Sequence, residues 1–185
     1  MIGLIVGGII CLCSTFCGIC IEGYYKKRNA YMQDFLNFVE FALQNIKFAK
    51  DNTDKIFDDF LQQYYGLDTR KILTENCVKN KKIKPFAQTL IELKSEFGKS
   101  KTIGKQNLYD ICQNKILNKK QIFVSIEIFG KFGVLDYANQ LNHLEKSRSL
   151  LTKEVEMSNK FVNVNGKLAY KLGFLLGLAL MILMI

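Results

Sequence analysis

The two ends of the chain are apolar and uncharged, and this feature constrains the fold more than any other. Residues 1–21 contain no charged side chain, and none follows Lys171. Residues 1–21 reach about 31 Å as an α-helix, against the roughly 30 Å hydrocarbon core of a bilayer. Residues 172–185 reach only about 21 Å, but residues 168–185 reach about 27 Å if the Lys171 side chain extends toward the headgroups. The sequence therefore predicts transmembrane helices over 1–22 and 168–185, with one domain of residues 23–167 between them.

The charges beside these stretches predict their orientation. A signal peptide would have basic residues before its apolar stretch, but here none precedes it. Lys26–Arg28 follow the stretch instead. Three lysines flank the second stretch: Lys160, Lys167 and Lys171. Because basic flanks favour the cytoplasmic side, we expect residues 23–167 in the cytoplasm and both termini across the membrane. The alternative for the second stretch, which is short for a span, is a buried core helix.

Each apolar stretch carries two glycines four residues apart. These are Gly3 and Gly7, extended by Cys11, in the first stretch, and Gly173 and Gly177 in the second. Glycine at this spacing lets helix backbones approach closely in lipid, so the two stretches are expected to pack on each other or on another subunit. The alternative is that glycine is simply frequent in such helices.

The six cysteines do not follow the pattern of a secreted, disulfide-linked domain, and we expect all of them to be reduced. Cys13, Cys17 and Cys20 share one helical face, where three thiols could hold a soft metal. Closed metal sites need four ligands from converging segments, so small apolar filler is the better interpretation. The sequence predicts no metal and no cofactor.

The middle of the chain predicts helices. It contains the single proline and no strand–turn–strand spacing. Apolar residues recur at helical spacing over 32–46 and 141–162. Segment 121–129 is rich in β-branched residues, but without a partner strand it is assigned to helix. The predicted fold class is all-α: a helical bundle whose long first and last helices form an antiparallel hairpin, each ending in a transmembrane helix.

Capping residues predict where the other helices begin and end. Asn52 or Thr53 is expected to cap a helix that Gly66 ends. Pro85 suits a first helical position, and Asp136 is expected to cap the long last helix. The other predicted elements are a helix over 68–78, a loop over 98–104 and a helix over 107–117.

The positive charge is concentrated in residues 70–120. This block holds 13 basic and 4 acidic side chains, and the difference equals the net charge of the whole chain, +9. Such a block attracts anionic lipid, an acidic protein face or nucleic acid. Aromatic residues are not interleaved with the lysines, so nucleic acid is not the expected partner. The candidate docking residues are Lys79, Lys81, Lys82, Lys84, Lys99, Lys101 and Lys105.

Sequence patterns that carry catalysis are missing. The one histidine, His143, has no ligand-type residue at metal-binding spacing and is expected at the surface. Segment 98–100 resembles the end of a phosphate-binding loop, but Leu93 stands where the first glycine is required. No nucleophile–base pair is visible, so the sequence predicts a non-enzymatic scaffold.

Three segments resemble a known family. Lys167 to Leu178 is similar to its terminal pattern of Tyr, then Leu-Gly-Phe-Leu, a small residue and Gly-Leu before an aliphatic tail. Phe129 to Gln140 resembles its Phe-Gly, Leu-Gly, Asp, Gln pattern, and residues 44–57 match its first helix and turn. On these motifs the chain resembles the stage III sporulation protein AB family of endospore-forming bacteria.

The resemblance implies a place in a secretion-like complex of the mother-cell membrane facing the forespore. It implies a helical body similar to the platform proteins of type II secretion and type IV pilus machines. The implied partners are a secretion-type ATPase in the mother-cell cytoplasm, other membrane subunits of that complex and the lipid bilayer. We therefore expect a scaffold that docks this ATPase through residues 70–120. The alternatives are a platform subunit of a secretion or pilus system, and a membrane-tethered binder of nucleic acid or anionic lipid through the same block.

Overall fold

Helices account for almost all of the described structure. The computed structural model describes residues 2–49, 52–67, 83–98, 104–113 and 116–183, and no strand occurs among them. The helices are α1 (Ile2–Gln44), α2 (Thr53–Tyr65), α3 (Pro85–Phe97), α4 (Lys105–Cys112), α5 (Lys119–Lys131), α6 (Tyr137–Phe161) and α7 (Lys167–Leu183). A π-helical turn, Asn45–Ala49, follows α1, and a second, Val162–Gly166, joins α6 to α7. The all-α prediction, with long first and last helices, is confirmed.

The chain divides into two compact units. Met1–Met32 and Glu154–Ile185 form the first, called the helix pair here, and Gln33–Lys153 form the second, called the head. Helix α1 begins in the helix pair and ends in the head, and α6 runs in the opposite sense. The predicted membrane boundaries at residues 22 and 168 fall within the helix pair and stay predictions.

The predicted helix boundaries hold at two positions and shift at others. Gly66 ends α2 in the left-handed conformation, with φ of 62°, and its N–H donates to the Gln62 carbonyl. Pro85 is the first residue of α3. Asn52 precedes α2, but its side chain forms no capping hydrogen bond. The helix predicted over 107–117 is instead Lys105–Cys112. The predicted helix over 68–78 and the inner part of the predicted loop, 99–103, lie outside the described residues.

Segment 121–129, the ambiguous part of the sequence, lies inside helix α5. A capping box starts this helix: the Asn118 side chain accepts a hydrogen bond from the Gln121 N–H at 2.8 Å, and the Gln121 side chain accepts one from the Asn118 N–H. The box satisfies backbone donors that the first turn of a helix leaves without partners. Local capping therefore outweighs the strand preference of the β-branched residues that follow.

The core of the head is aromatic and is centred on Phe38 of α1, which is fully buried. The rings around it come from α2, α3, α5 and the segment after α5: Phe57, Phe60, Phe86, Phe129 and Phe132, with centroids 5.2 to 6.1 Å away. Aromatic pairs at such distances stabilise a core beyond the area that they bury. The head therefore closes around one ring from the long first helix.

A glycine allows the corner between α5 and α6 to pack closely. Gly133 has φ of 77°, a conformation that other residues rarely adopt. A Cβ at this position would lie 2.8 Å from the Thr53 Oγ1 atom at the start of α2. The corner is thereby held against the first turn of α2.

Both long helical stretches are apolar enough to cross a membrane. Only 11% of the most apolar window of each is buried within the protein. The core helix of a soluble protein would bury most of such a window. The two stretches are therefore compatible with membrane association.

Candidate functional site

Glycines bring the backbones of α1 and α7 together in the helix pair. A Cβ at Gly177 would lie 2.8 Å from the Cα atom of Cys11, and one at Gly173 would lie 2.8 Å from the carbonyl oxygen of Ser14. On α1, a Cβ at Gly7 would lie 3.2 Å from the Cα atom of Met181. Any side chain at Gly173 or Gly177 would therefore force the helices apart.

Three of the four glycines singled out in the sequence thus lie in one seam, Gly7 on α1 opposite Gly173 and Gly177 on α7. The fourth, Gly3, is in the first turn of α1, and its surroundings lie outside what the structure describes. That this seam packs within lipid stays a prediction.

Two further glycines extend the seam and were not predicted. A Cβ at Gly18 would lie 2.8 Å from the carbonyl oxygen of Ala169, and one at Gly166 would lie 3.4 Å from the Cγ atom of Glu22. The signal for Gly18 is visible in the sequence, since the small residues 7, 11, 14 and 18 are spaced four, three and four apart. That spacing places them on one face of a helix.

Two interhelical hydrogen bonds fix the register of the helix pair. Ser14 Oγ donates to the carbonyl oxygen of Gly173 at 2.7 Å. Nearer the head, Asn29 Nδ2 donates to Asn159 Oδ1 at 2.8 Å. Hydrogen bonds of this kind between membrane helices contribute modestly, about 0.6 kcal/mol on average. They favour one antiparallel register over its neighbours.

Large apolar side chains of the helix pair face outward. Leu12 is 73% exposed, Ile182 68% and Leu183 81%, while glycines line much of the seam between the helices. Helices packed in lipid adopt this arrangement, with small residues at the interface between the helices and large apolar residues on the outer faces. It is unfavourable in water, where soluble proteins rarely expose contiguous apolar patches beyond a few hundred square ångströms.

The five cysteines that the structure describes lie apart from any metal-binding arrangement. Cys13, Cys17 and Cys20 are exposed free thiols on α1, outside the seam. Among the residues that the structure describes, no three His, Cys, Asp or Glu side chains converge to hold a metal ion. Cys112, at the end of α4 in the head, is buried, and this burial raises the pKa of its thiol to about 12. The thiol therefore stays protonated at physiological pH.

Two of the predicted docking lysines lie on described parts of the head. Lys84 precedes α3, with its ammonium 3.7 Å from an Asp34 carboxylate oxygen and 5.4 Å from the Tyr65 ring centre. Lys105 is the exposed first residue of α4. The other five lie outside the described residues: Lys79, Lys81, Lys82, Lys99 and Lys101.

Part of the positive charge of residues 70–120 is used inside the head. Lys94 of α3 is paired with Asp58 of α2, and its side chain is only 15% exposed. The groove between α3 and α4 is acidic instead of basic, since carboxylates of Glu92 and Asp110 line a cavity of about 250 Å³ there. This groove therefore does not suit an acidic partner.

His143 lies on α6 beside α5 and is half-buried, not at the surface as expected. Its Nε2 atom is 3.2 Å from the carbonyl oxygen of Ile128. It lines a cavity of about 470 Å³ between the two helices, together with Asn139, Asn142 and Lys146. The imidazole therefore joins α6 to the backbone of α5, a structural contact.

The comparison with known families finds a match. Residues 76–185 match the family model of stage III sporulation protein AB, a stretch that covers more than half of the chain and includes α3 to α7. No curated protein and no solved structure matches the chain. The matched stretch contains the Gly173 and Gly177 half of the seam and the corner at Gly133. The chain belongs to the stage III sporulation protein AB family.

Proposed function

We propose that this chain is a membrane-anchored, non-enzymatic scaffold subunit of the sporulation stage III transport complex between mother cell and forespore. In this proposal the helix pair holds the protein in the membrane. The head docks a cytoplasmic secretion-type ATPase of the same complex. Membership in the family supports the sporulation process, and the packing of the helix pair supports the anchor.

The observation that carries the anchor is the inverted packing of the helix pair. Backbone contacts at Gly173 and Gly177 fill the space between the helices, and the leucine-rich faces point outward. Exposing such a face to water costs about 25 cal/mol for each square ångström, whereas lipid removes this cost. Residues 2–21 of α1 extend about 30 Å and the 17 residues of α7 about 26 Å, against a hydrocarbon core of roughly 30 Å. Lys167 and Lys171 in the first turns of α7 extend along apolar surface and place their ammonium groups among the headgroups.

The basic residues beside the helix pair support a cytoplasmic head. Lys26–Arg28 follow the first apolar stretch, and Lys160 and Lys167 precede the second. Lysine and arginine are retained on the cytoplasmic side during insertion. The head would then lie in the mother-cell cytoplasm, where an ATPase has its nucleotide, with both termini across the membrane.

The head supports docking through its charge and its solid core. The Phe38 cluster gives a rigid body, and the excess lysines of residues 70–120 provide positive charge for an acidic face. Complementary charge speeds encounter and selects the partner more than it raises affinity. Lys105, exposed at the start of α4, is placed for such a contact.

Extraction and proteolysis of membranes from sporulating cells test the anchor. The full chain should stay in the membrane pellet after alkaline carbonate treatment. In sealed vesicles, protease added to the cytoplasmic face should cleave the head and leave the apolar ends protected. Release of the whole chain into the alkaline supernatant would contradict the anchor, and a head protected from protease would contradict the orientation.

Charge reversal tests the docking. The triple variant Lys81→Glu, Lys82→Glu, Lys84→Glu should reduce recovery of the ATPase in a pull-down several-fold, because like charges then face each other. The matched control reverses three exposed lysines of the head that lie outside this block, Lys47→Glu, Lys146→Glu and Lys153→Glu, with the same change in net charge. Undiminished recovery with the first variant, or equal loss with the control, would contradict docking through this block.

A further inference from the structure

Four exposed lysines gather where the apolar faces of the helix pair end. They are Lys27 on α1, Lys160 on α6, and Lys167 and Lys171 on α7. Contacts between the helices fix the position of these lysines along the helix axes: Gly166 lies against Glu22, and the Asn29 side chain is hydrogen-bonded to that of Asn159. The four lysines therefore lie within one band of the helix pair, about 11 residues, or roughly 16 Å, deep along α1.

The band carries more positive than negative charge. Residues 22–32 and 154–171 contain six basic and three acidic side chains. Of the three acids, Glu22 is 2.8 Å from Lys26, Glu154 is buried, and Glu156 is exposed on α6, four residues before Lys160. None of the four lysines has an ion-pair partner among the residues that the structure describes.

Aromatic and apolar side chains are interleaved with these lysines. Tyr24, Phe161 and Tyr170 are each 43 to 44% exposed, and Val164, in the π-helical turn, is 62% exposed. Rings of this kind are favoured at the boundary between hydrocarbon and headgroups. Lysine side chains at the same depth extend along apolar surface and place their ammonium groups among the headgroups.

We propose that this band, called the collar, binds anionic phospholipid headgroups and selects them over zwitterionic ones. The collar consists of Lys27, Lys160, Lys167 and Lys171 with the rings of Tyr24, Phe161 and Tyr170. Each ammonium attracts the phosphodiester of an acidic lipid, while the rings and Val164 contact the upper acyl chains. The proposal rests on membrane insertion of the helix pair, which is part of the proposed function.

The charge of the collar argues against a second copy of this chain as its occupant. Two parallel copies meeting through this face would bring lysine rows of the same sign together, which is unfavourable. An acidic lipid supplies the opposite charge at the depth where the lysines end. A basic residue near an anionic membrane surface contributes about 1 kcal/mol, or roughly fivefold in association, and this contribution falls with salt.

Association of spin-labelled lipids with the full chain in vesicles tests the collar. The probes are labelled phosphatidylglycerol and labelled phosphatidylcholine, and the relative association constant is read from the motionally restricted component of the spectrum. We expect the protein to prefer phosphatidylglycerol by about fivefold or more at low salt. The variant Lys27→Gln, Lys160→Gln, Lys167→Gln, Lys171→Gln should lower this ratio toward one.

A control variant with the same loss of charge is Lys105→Gln, Lys119→Gln, Lys146→Gln, Lys153→Gln, whose lysines are exposed on the head. This control variant should keep the preference for phosphatidylglycerol over phosphatidylcholine. Equal association of both lipids with the unmodified protein, or equal loss of preference in both variants, would overturn the collar while leaving membrane insertion intact. A complete absence of restricted lipid would overturn membrane insertion, and the collar with it.

Discussion

The helix pair and the head solve the same packing problem in opposite ways. In the head, large rings such as Phe38 and Phe57 are buried, and lysines and carboxylates cover the surface. In the helix pair, glycines and Ser14 occupy the interior, and leucines such as Leu12 face outward. Helix α1 contributes to both units, so a single helix carries both arrangements.

The solvent around each unit determines which residues stabilise contact between its helices. In water, removing large apolar surface is the main favourable term, so bulky rings form the interior. In lipid, burying apolar surface between helices gives no hydrophobic gain, because the lipid tails are equally apolar. Close backbone packing and hydrogen bonds therefore hold the helices together. Substitutions of large and small residues should therefore have opposite consequences in the two units.

The largest expected effect is the truncation of the central ring of the head. Phe38→Ala should lower the free energy of unfolding by about 3–5 kcal/mol, because it leaves a cavity among five rings. Urea denaturation of the full chain in neutral detergent, followed by circular dichroism, measures it. Phe48→Ala is the control, since Phe48 is 79% exposed and its loss should change stability by less than about 0.5 kcal/mol. Similar effects of the two variants would contradict an aromatic core.

The half-buried ion pair of the head should rank second. Asp58→Asn removes the charge that faces Lys94 and should cost about 1.5–3 kcal/mol in the same denaturation experiment. Glu40→Gln serves for comparison, because the Glu40–Arg148 pair is exposed and such pairs contribute about 0.2–1 kcal/mol. If Glu40→Gln proved as costly as Asp58→Asn, burial would not be what distinguishes the two pairs.

A large residue in the seam of the helix pair should also be destabilising. Gly177→Leu places a side chain against the backbone of Cys11 and should cost about 1–3 kcal/mol. Loss of helicity during titration with sodium dodecyl sulfate would report it. Gly8→Leu is the matched control, because nothing lies within 4 Å of a Cβ at Gly8. A tolerated leucine at Gly177 would show that the two helices are not in backbone contact.

The smallest effect is expected from the interhelical hydroxyl. Ser14→Ala removes the hydrogen bond to Gly173 and should cost about 0.6 kcal/mol in the same detergent titration. Thr15→Val should cost less, since the Thr15 hydroxyl bonds the Cys11 carbonyl of its own helix. Equal losses of stability for the two variants would contradict the inference that the Ser14 hydrogen bond helps to fix the register of the two helices.

Features set by neighbouring residues in the sequence could be predicted. The left-handed Gly66, the helix start at Pro85 and the glycines at 173 and 177 follow from local spacing and backbone chemistry. The capping box of Asn118 and Gln121 is also local, and it would have settled the ambiguous segment as helix.

Features that depend on tertiary register could not be predicted. The pairing of Lys94 with Asp58 and the pairing of Lys84 with Asp34 join residues that are far apart in sequence. The contact of Gly166 could not be predicted either, because it depends on the interhelical register that places this glycine beside Glu22. Lys84 and Lys94, both in the described part of the basic block, are thus already paired within the head.

The depth of spin labels in vesicles tests the central claim, that the outward leucines of the helix pair lie in lipid while the head lies in water. In a variant lacking the native cysteines, single cysteines would replace Leu12 and Leu176 in the helix pair and Phe48 and Phe123 in the head, all strongly exposed positions. Labels at 12 and 176 should collide mainly with oxygen, and labels at 48 and 123 mainly with a water-soluble nickel chelate. Labels at 12 and 176 that the nickel chelate reaches as readily as those in the head would contradict this claim.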